Sequence, residues 1–253
     1  MSLVTSAEIG DFLRGLKGQA DDGKKAVPVT GRSRNNFRRA IGTLVNFAVS
    51  RGYLVKGTVE IEDVAQARED NGEIEIFRPE EMAAVLRNSD ERLIPFLAIG
   101  AFAGLRHAEL QRLDWAEVRM DDGFIEVKAN KAKTASRRLV PISSNLQQWL
   151  APRRQDLGRV VPVDQMSERL AALVKRPGVD LAWKRNALRH SFISYRVAQV
   201  QNVAQVALEA GNSPQIIFSN YRELVKPADA VKWFGIVPEA PANVVALPQA
   251  AAA

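Results

Sequence analysis

A chain of 253 residues is long enough for one large domain or two smaller ones, and 46% apolar with 25% charged residues describes a sequence that folds rather than stays disordered. It contains no cysteine, which excludes disulfide scaffolds, thiol nucleophiles and thiolate metal sites, and only two histidines, His107 and His190, too few for a histidine-rich metal cluster. The net charge of +6 is compatible with nucleic acid without demanding it, and no apolar run approaches the ~20 residues that span a bilayer. The opening MSLVTSAEIG turns polar and acidic too soon for a signal peptide, so a cytoplasmic, soluble chain with no membrane partner is expected.

Thr5-x-x-Glu8 is a capping box, and Ile9, Phe12, Leu13 and Leu16 behind it make an amphipathic helix. Gln19 to Val29 is polar and reads as a loop. The next helix begins near Thr30 and ends at Gly52, with Phe37, Ile41, Leu44, Val45 and Ala48 spaced as one apolar face. Arg32, Arg34, Arg38 and Arg39 occupy the rest of its surface, with Asn35, Asn36, Thr43 and Asn46 between them. That surface is either a solvated helix face or one laid against a phosphate backbone, which needs cations interleaved with short donors. Residues 55–72 lose periodicity, collect Glu60, Glu62, Asp63, Glu69 and Asp70, and end in the turn Asn71-Gly72, the composition of a linker. The boundaries that follow are a helical domain over 1–71, a second domain over 72–237, and a disordered Ala- and Pro-rich tail over 238–253. A first domain this short has little core of its own and reads as part of a larger helical one.

The second domain opens with a short strand, Glu73 to Phe77, and Pro79 then takes the first position of a helix carrying Met82, Val85 and Leu86. A buried helix over Leu93 to Phe102 breaks at Gly104. Asp121-Asp122-Gly123 turns the chain into a strand, Phe124 to Val127, and Arg138 to Ile142 is its partner. The hairpin tip between them is basic, with Lys128, Lys131, Lys133 and Arg137. Helices around 146–150, 167–174, 188–200, 203–210 and 214–221 complete a mostly α domain with a small antiparallel sheet, an α+β class. Val231, Trp233, Phe234 and Ile236 form a last apolar segment, suited equally to capping its own domain and to packing on a neighbour.

Three features can carry chemistry. In Gly104-Leu105-Arg106-His107-Ala108-Glu109-Leu110 an arginine follows a glycine break, where its guanidinium and free backbone N–H groups can face one anion while Glu109 holds it. A lysine on the hairpin, Lys133, can reach into a site and protonate a leaving oxygen, although a solvated basic turn is the plainer reading. From Leu181 to Leu208 there is no Asp or Glu, while Lys184, Arg185, Arg189, His190 and Arg196 all occur there, as on a surface kept attractive to phosphate. That run leads to Gly211-Asn212-Ser213-Pro214 and then Tyr221, either half-buried packing or a phenolic nucleophile.

Together these features resemble the tyrosine recombinases, the phage-integrase family, over roughly residues 1–237, with 1–71 similar to the end of that family's helical core-binding domain. Gly104-Leu105-Arg106-x-x-Glu109-Leu110 and the following Leu113-x-Trp115 look like the first-arginine motif. Lys133, by its distance from Pro141, looks like the hairpin lysine, and Leu188-Arg189-His190-Ser191-Phe192 like the second-arginine motif. Gly211 to Ser213 matches the family's Leu-Gly-His-Ser segment in position, and Tyr221 falls where the nucleophile stands. Two positions depart from the pattern: Asn186 replaces a usual His three residues before Arg189, and Asn212 replaces a His or Trp nine residues before Tyr221. Asparagine donates hydrogen bonds but cannot shuttle a proton near neutral pH. His107 and His190 each follow an arginine by one residue, about 100° around a helix, so neither is expected to compensate and His190 is read as structural.

The resemblance implies site-specific recombination or integration of double-stranded DNA by cleavage and religation, without cofactor or metal. In that scheme Tyr221 attacks a phosphodiester to give a 3′-phosphotyrosyl link, Arg106 and Arg189 clamp the phosphoryl oxygens, Lys133 protonates the departing 5′ oxygen, and Asn186 and Asn212 add hydrogen bonds. Arg32, Arg34, Arg38, Arg39, Lys128, Lys131, Arg137, Lys184 and Arg185 are the expected DNA-binding cations, and Glu109 and His190 the supporting residues. It also implies a homo-oligomer on DNA, a tetrameric synapse, in the bacterial or phage nucleoid. Two alternatives share the fold: a catalytically weakened or inactive DNA-binding protein, and a type IB-like topoisomerase.

Overall fold

A computed structural model describes residues 4–18, 26–69, 74–129, 137–161, 166–179, 181–184, 186–221 and 225–239. The chain divides into two compact units, 1–73 and 74–253. The hairpin tip and the tail beyond 239 lie outside the described residues.

In the first unit α1 (Ser6–Gly15) begins on the expected capping box, where Thr5 Oγ1 accepts from Glu8 N at 3.2 Å and Glu8 Oε2 accepts from Thr5 N at 2.8 Å. Ile9 and Leu13, one turn apart on α1, join Ile61 and Val64 in a small core edged by Leu16, Ile41 and Val59. The second helix, α2 (Gly31–Ser50), does not bury the face its apolar spacing suggests. Phe37, Leu44 and Phe47 are exposed, and Asn35 and Gly42 are buried. The reason lies in residues 55–69, which belong to this unit and are not a linker. They have no strand or helix ladder for most of their length, so their backbone groups need side-chain partners. Arg38 donates to the carbonyls of Val64 at 2.7 Å and Ile61 at 2.6 Å, and the Asn35 amide exchanges two 2.9 Å bonds with the backbone of Ala67. The polar side of α2 therefore faces inward here.

The second unit starts differently from expectation as well. Residues 74–78 form no strand. Their backbone is satisfied by side chains instead: Phe77 N donates to Ser191 Oγ at 2.8 Å, Tyr195 Oη donates to Phe77 O at 2.9 Å, and Lys184 Nζ to Ile76 O at 3.1 Å. Pro79 then starts α3 (Pro79–Arg87), its missing N–H falling where no intrahelical partner exists. All nine residues of α4 (Ile94–Phe102) are buried, and the helix stops at Gly104. This glycine has φ +64°, and a Cβ there would lie 2.1 Å from the Phe192 ring, so no other residue fits. One turn of helix, α5 (His107–Leu110), follows. The sheet has three antiparallel strands, β1 (Val118–Arg119), β2 (Phe124–Val127) and β3 (Arg138–Pro141), in that order; β1 was not foreseen. With Ile125 opposite Val140, strand alternation turns Val140 and Arg138 inward and Leu139 outward.

Among the described residues six further α-helices follow: α6 (Ser144–Leu150), α7 (Met166–Leu173), α8 (Ala187–Val200), α9 (Val203–Ala210), α10 (Pro214–Tyr221) and α11 (Pro227–Phe234). Among them α8 is central, packing against α4, α9, α10 and α11. The apolar segment after Tyr221 caps its own domain. Trp233 is fully buried, stacks on Tyr195 with ring centroids 4.3 Å apart, and donates its indole N–H to Ala101 O at 3.1 Å. No described helix is long and apolar enough to cross a membrane.

Candidate active site

Three arginines converge on the C-terminal end of α9. Arg138 Nε donates to Glu209 O at 3.1 Å, Arg189 Nη2 to Ala210 O at 2.7 Å, and Arg106 Nη2 to Gly211 O. These three consecutive carbonyls lie at or just past the end of a helix, where carbonyls lack intrahelical donors and the helix dipole is negative, so cations are doubly favoured there. Gly211 makes the end possible. Its φ of +60° is a left-handed cap, and a Cβ would stand 3.0 Å from Arg138 Nη1.

One carboxylate locks two of the three. Glu109 is buried at 2% exposure, and its Oε1 and Oε2 accept from Arg138 at 3.1 and 2.6 Å. It also accepts from the Arg106 guanidinium at 2.9 Å and from Arg106 N at 2.8 Å. Burial works against the charged carboxyl, but the hydrogen bonds from Arg138 and Arg106 outweigh it and hold its pKa below the ordinary glutamate value. Arg189, bonded through Nη1 to Gly104 O at 2.7 Å, has no carboxylate hydrogen-bond partner among the described residues. Burial, and then the neighbouring Arg106, pull its pKa down to about 10, which leaves it protonated at neutral pH. Three guanidiniums against one carboxylate leave a local excess of positive charge.

Arg106 and Arg189 line one open cleft of about 750 Å³ together with His107, Lys184, Asn186 and His190, over an apolar wall that includes Phe96, Leu110, Leu170 and Trp183. None of the described residues lining it is acidic. Asn186 caps α8 in the left-handed region, φ +57°, a conformation asparagine adopts more readily than most residues. Asn212 lies next to the carbonyl held by Arg106, and its Oδ1 accepts from Ser213 N at 3.1 Å, which orients the amide. Tyr221, at the end of α10, is buried among Phe192, Ile193, Val206, Ala207, Ala210 and Ile217. Burial pushes its phenol pKa up, against the opposing effect of Arg189.

The phenol is not isolated. Tyr221 Oη and His190 Nδ1 are 2.6 Å apart, so the histidine read as structural, turned away from Arg189, meets the tyrosine. The angle from Arg189 is what brings it there. Arg189 faces the ends of α4 and α9, and the next residue on α8 faces α10. His107 lines the cleft with its ring edge-on to Phe96, ring centroids 5.4 Å apart.

The other expected residues divide. Lys131, Lys133 and Arg185 lie outside the described residues. Lys128 pairs with Glu117 at 3.4 Å and Arg137 with Glu126 at 2.7 Å, so both hairpin-root cations have acidic partners. Lys184 is tied to Ile76 O and still lines the cleft. In the first unit Arg32 reaches Glu69 at 3.4 Å, Arg39 reaches Asn36 at 3.0 Å, and Arg34 Nε is buried without a hydrogen-bond partner. Arg38 is given over to carbonyls and does not belong to a free cationic face. Arg196, from the acid-free run, is neutralised by Glu209 at 2.8 Å, the first acid after the run. Sequence reasoning missed Arg138, although strand parity with Val140 marks it as an inward-facing charge that must find a partner. Among the described residues no three His, Asp or Glu side chains come together as a metal site needs.

No protein-family model and no curated protein sequence matches the chain. Solved structures do. It is similar to a lambda integrase dimer bound to a core site, with TM-score 0.63, 15% identity and coverage of 88% of this chain and 83% of that one. It is similar to the Tn1549 transposon integrase in complex with a circular intermediate DNA, with TM-score 0.61, 15% identity and coverage of 88% and 82%. The XerA recombinase aligns over 92% of this chain and 89% of its own, with TM-score 0.52 and 14% identity. The fold of this chain is the fold of these recombinases and integrases.

Proposed function

We propose that the protein cuts and rejoins double-stranded DNA at specific sites through a phosphotyrosyl intermediate, with Tyr221 as nucleophile. The observation that carries this reading is the pair Arg106 and Arg189, delivered by separate elements to one cleft with no acid among its described lining residues, with Tyr221 one hydrogen bond behind it. A phosphodiester in that cleft meets two guanidiniums, whose planar forks each span two phosphoryl oxygens and stay charged at any working pH. Charge gathers on those oxygens in the transition state, so the arginines bind it more tightly than the ground state. Both guanidiniums already hold carbonyls at the end of α9. They are thus positioned in advance and lose little freedom when a phosphate arrives.

Lys133, on the hairpin between β2 and β3, is assigned the proton for the departing 5′ oxygen by the resemblance. Asn186 and Asn212 supply neutral donors. The covalent link conserves the phosphodiester bond energy, so religation needs no nucleotide cofactor. Solved neighbours include a lambda integrase tetramer bound to a Holliday junction and a XerH recombinase in a post-cleavage complex with its palindromic substrate. By analogy this chain acts as an oligomer on DNA, within the bacterial or phage nucleoid.

A second reading, a DNA-binding protein that does not cleave, is favoured by Asn186 and Asn212, which stand where the resemblance expects proton-transferring side chains. One experiment separates the two. Wild-type protein is incubated with a labelled library of nicked duplexes of randomised sequence and resolved on a denaturing gel. The enzyme reading expects a covalent adduct that Tyr221→Phe abolishes and that Arg106→Ala or Arg189→Ala lowers by about 10²–10³-fold. DNA retention by all four proteins with no adduct from any establishes the second reading.

A further inference from the structure

We propose that His190 is the base that takes the phenolic proton of Tyr221 as the tyrosine attacks phosphorus, in place of the histidines missing at Asn186 and Asn212. This rests on the recombinase reading above and assigns one more residue to it. The contact is 2.6 Å from Tyr221 Oη to His190 Nδ1, a short hydrogen bond between two side chains 31 residues apart in the chain. Their rings lie 5.7 Å apart at 31°. His190 is held on α8 by its own backbone, with its N–H donating to Asn186 O at 3.0 Å and its carbonyl accepting from Ser194 Oγ at 2.9 Å. The same imidazole lines the cleft that Arg106 and Arg189 share. It therefore stands between the proposed phosphate site and the nucleophile.

Such a base is needed. A phenol with an ordinary pKa near 10 is ionised about once in 10³ molecules at pH 7, and burial makes Tyr221 rarer still as phenolate. Neither asparagine can accept its proton. His190 can, because burial first, and the adjacent Arg189 second, hold its pKa below the ordinary histidine value and keep it neutral. Among the described residues, the other charged or titratable groups lining its cleft are Arg106, His107, Lys184 and Arg189, and on the α10 side it meets Tyr221. None is an acid that would hold it protonated.

The step balances as follows. Tyr221 Oη bonds to phosphorus while its O–H bond breaks and the proton moves to His190 Nδ1. The bond from phosphorus to the 5′ oxygen breaks, and that oxygen takes a proton from the Lys133 ammonium. In religation the 5′ hydroxyl attacks phosphorus and gives its proton to neutral Lys133, while imidazolium 190 returns its proton to the departing phenolate.

The test uses the full chain and two nicked duplexes drawn from one reactive sequence, one normal and one with sulfur replacing the bridging 5′ oxygen. A thiolate leaves without being protonated, so the sulfur substrate removes the need for an acid but not for a base. His190→Asn keeps an acceptor near the Nδ1 position and cannot take a proton; its adduct formation should be slower by about 10²–10⁴-fold on both substrates. Lys133→Ala should be slow on the normal duplex and largely restored on the sulfur one. Wild-type rate should fall on the acid side of the ordinary histidine range as His190, whose pKa is lowered by burial and by Arg189, protonates, and this limb should vanish in His190→Asn. Gel-shift binding and thermal unfolding of His190→Asn at wild-type values exclude a folding defect. A His190→Asn rate within threefold of wild type overturns the proposal, as does rescue of His190→Asn by the sulfur substrate, which makes His190 the acid. Failure of wild type itself to form an adduct overturns the recombinase reading instead.

Discussion

Glu109 carries more than its place in an Arg-x-x-Glu motif implies. It is a buried carboxylate shared by Arg106 and Arg138, and removing its charge strands two guanidiniums in a poorly solvated site. Glu109→Gln should cost about 3–5 kcal/mol of stability, read as the shift of a urea unfolding curve. The pH dependence has a definite sign. The folded-state pKa of Glu109 is lowered, so its contribution is present above the ordinary value of 4.5 and is lost as pH falls through the lower folded value. The urea midpoint of wild type should drop over that acid range more than that of Glu109→Gln. Gly104 is a second residue with a single solution. Gly104→Ala meets both the left-handed backbone and the Phe192 ring, and should cost about 2–4 kcal/mol while displacing the carbonyl that holds Arg189. Both residues were visible in the sequence as an arginine motif after a glycine break. The link from His190 to Tyr221 was not, because it depends on how α8 and α10 pack and no spacing along one helix reports that.

Among the elements, the end of α9 organises the site. Its last carbonyls receive Arg138 from the sheet, Arg189 from α8 and Arg106 from the turn before α5. The strand β3 is thereby fixed to the arginine cluster, and with it the base of the hairpin that bears Lys133. Arg138→Lys keeps the charge but loses the fork that spans Glu109 and Glu209 O. It should destabilise the protein measurably and slow adduct formation. Arg137→Lys, one residue away on an exposed pair with Glu126, should do neither. The helices bounded in the sequence, α4 and α6 to α10, were legible to within two residues, since 3.6-residue periodicity and strong stop signals agree there, while α11 was visible only as an apolar segment. The segment 74–78 and the face of α2 were not. In both, side chains far along the sequence replace the hydrogen bonds that a regular neighbour would supply, and local pattern carries no trace of that.

On the scale of the molecule, the two units differ in how much they bury. Among the described residues, the first rests on four buried apolar side chains and a few polar ties to residues 59–69, while the second has an extensive core around α4 and α8. Amide hydrogen exchange should therefore be faster through α1 and α2 than through α4 and α8 under the same conditions. The basic excess, +2 in residues 1–71 and +4 in the rest, is spread along the chain, and its meaning comes from the site. If DNA binding neutralises several phosphates, affinity should fall steeply and linearly in log–log form as salt rises. The direct measurement is the location of the protein–DNA bond. Wild-type protein trapped on the nicked duplex library, digested with trypsin and nuclease and examined by mass spectrometry, should carry a nucleotide phosphate on Tyr221 and on no other residue. A phosphate on a different side chain, or an adduct that survives in Tyr221→Phe, would contradict the account.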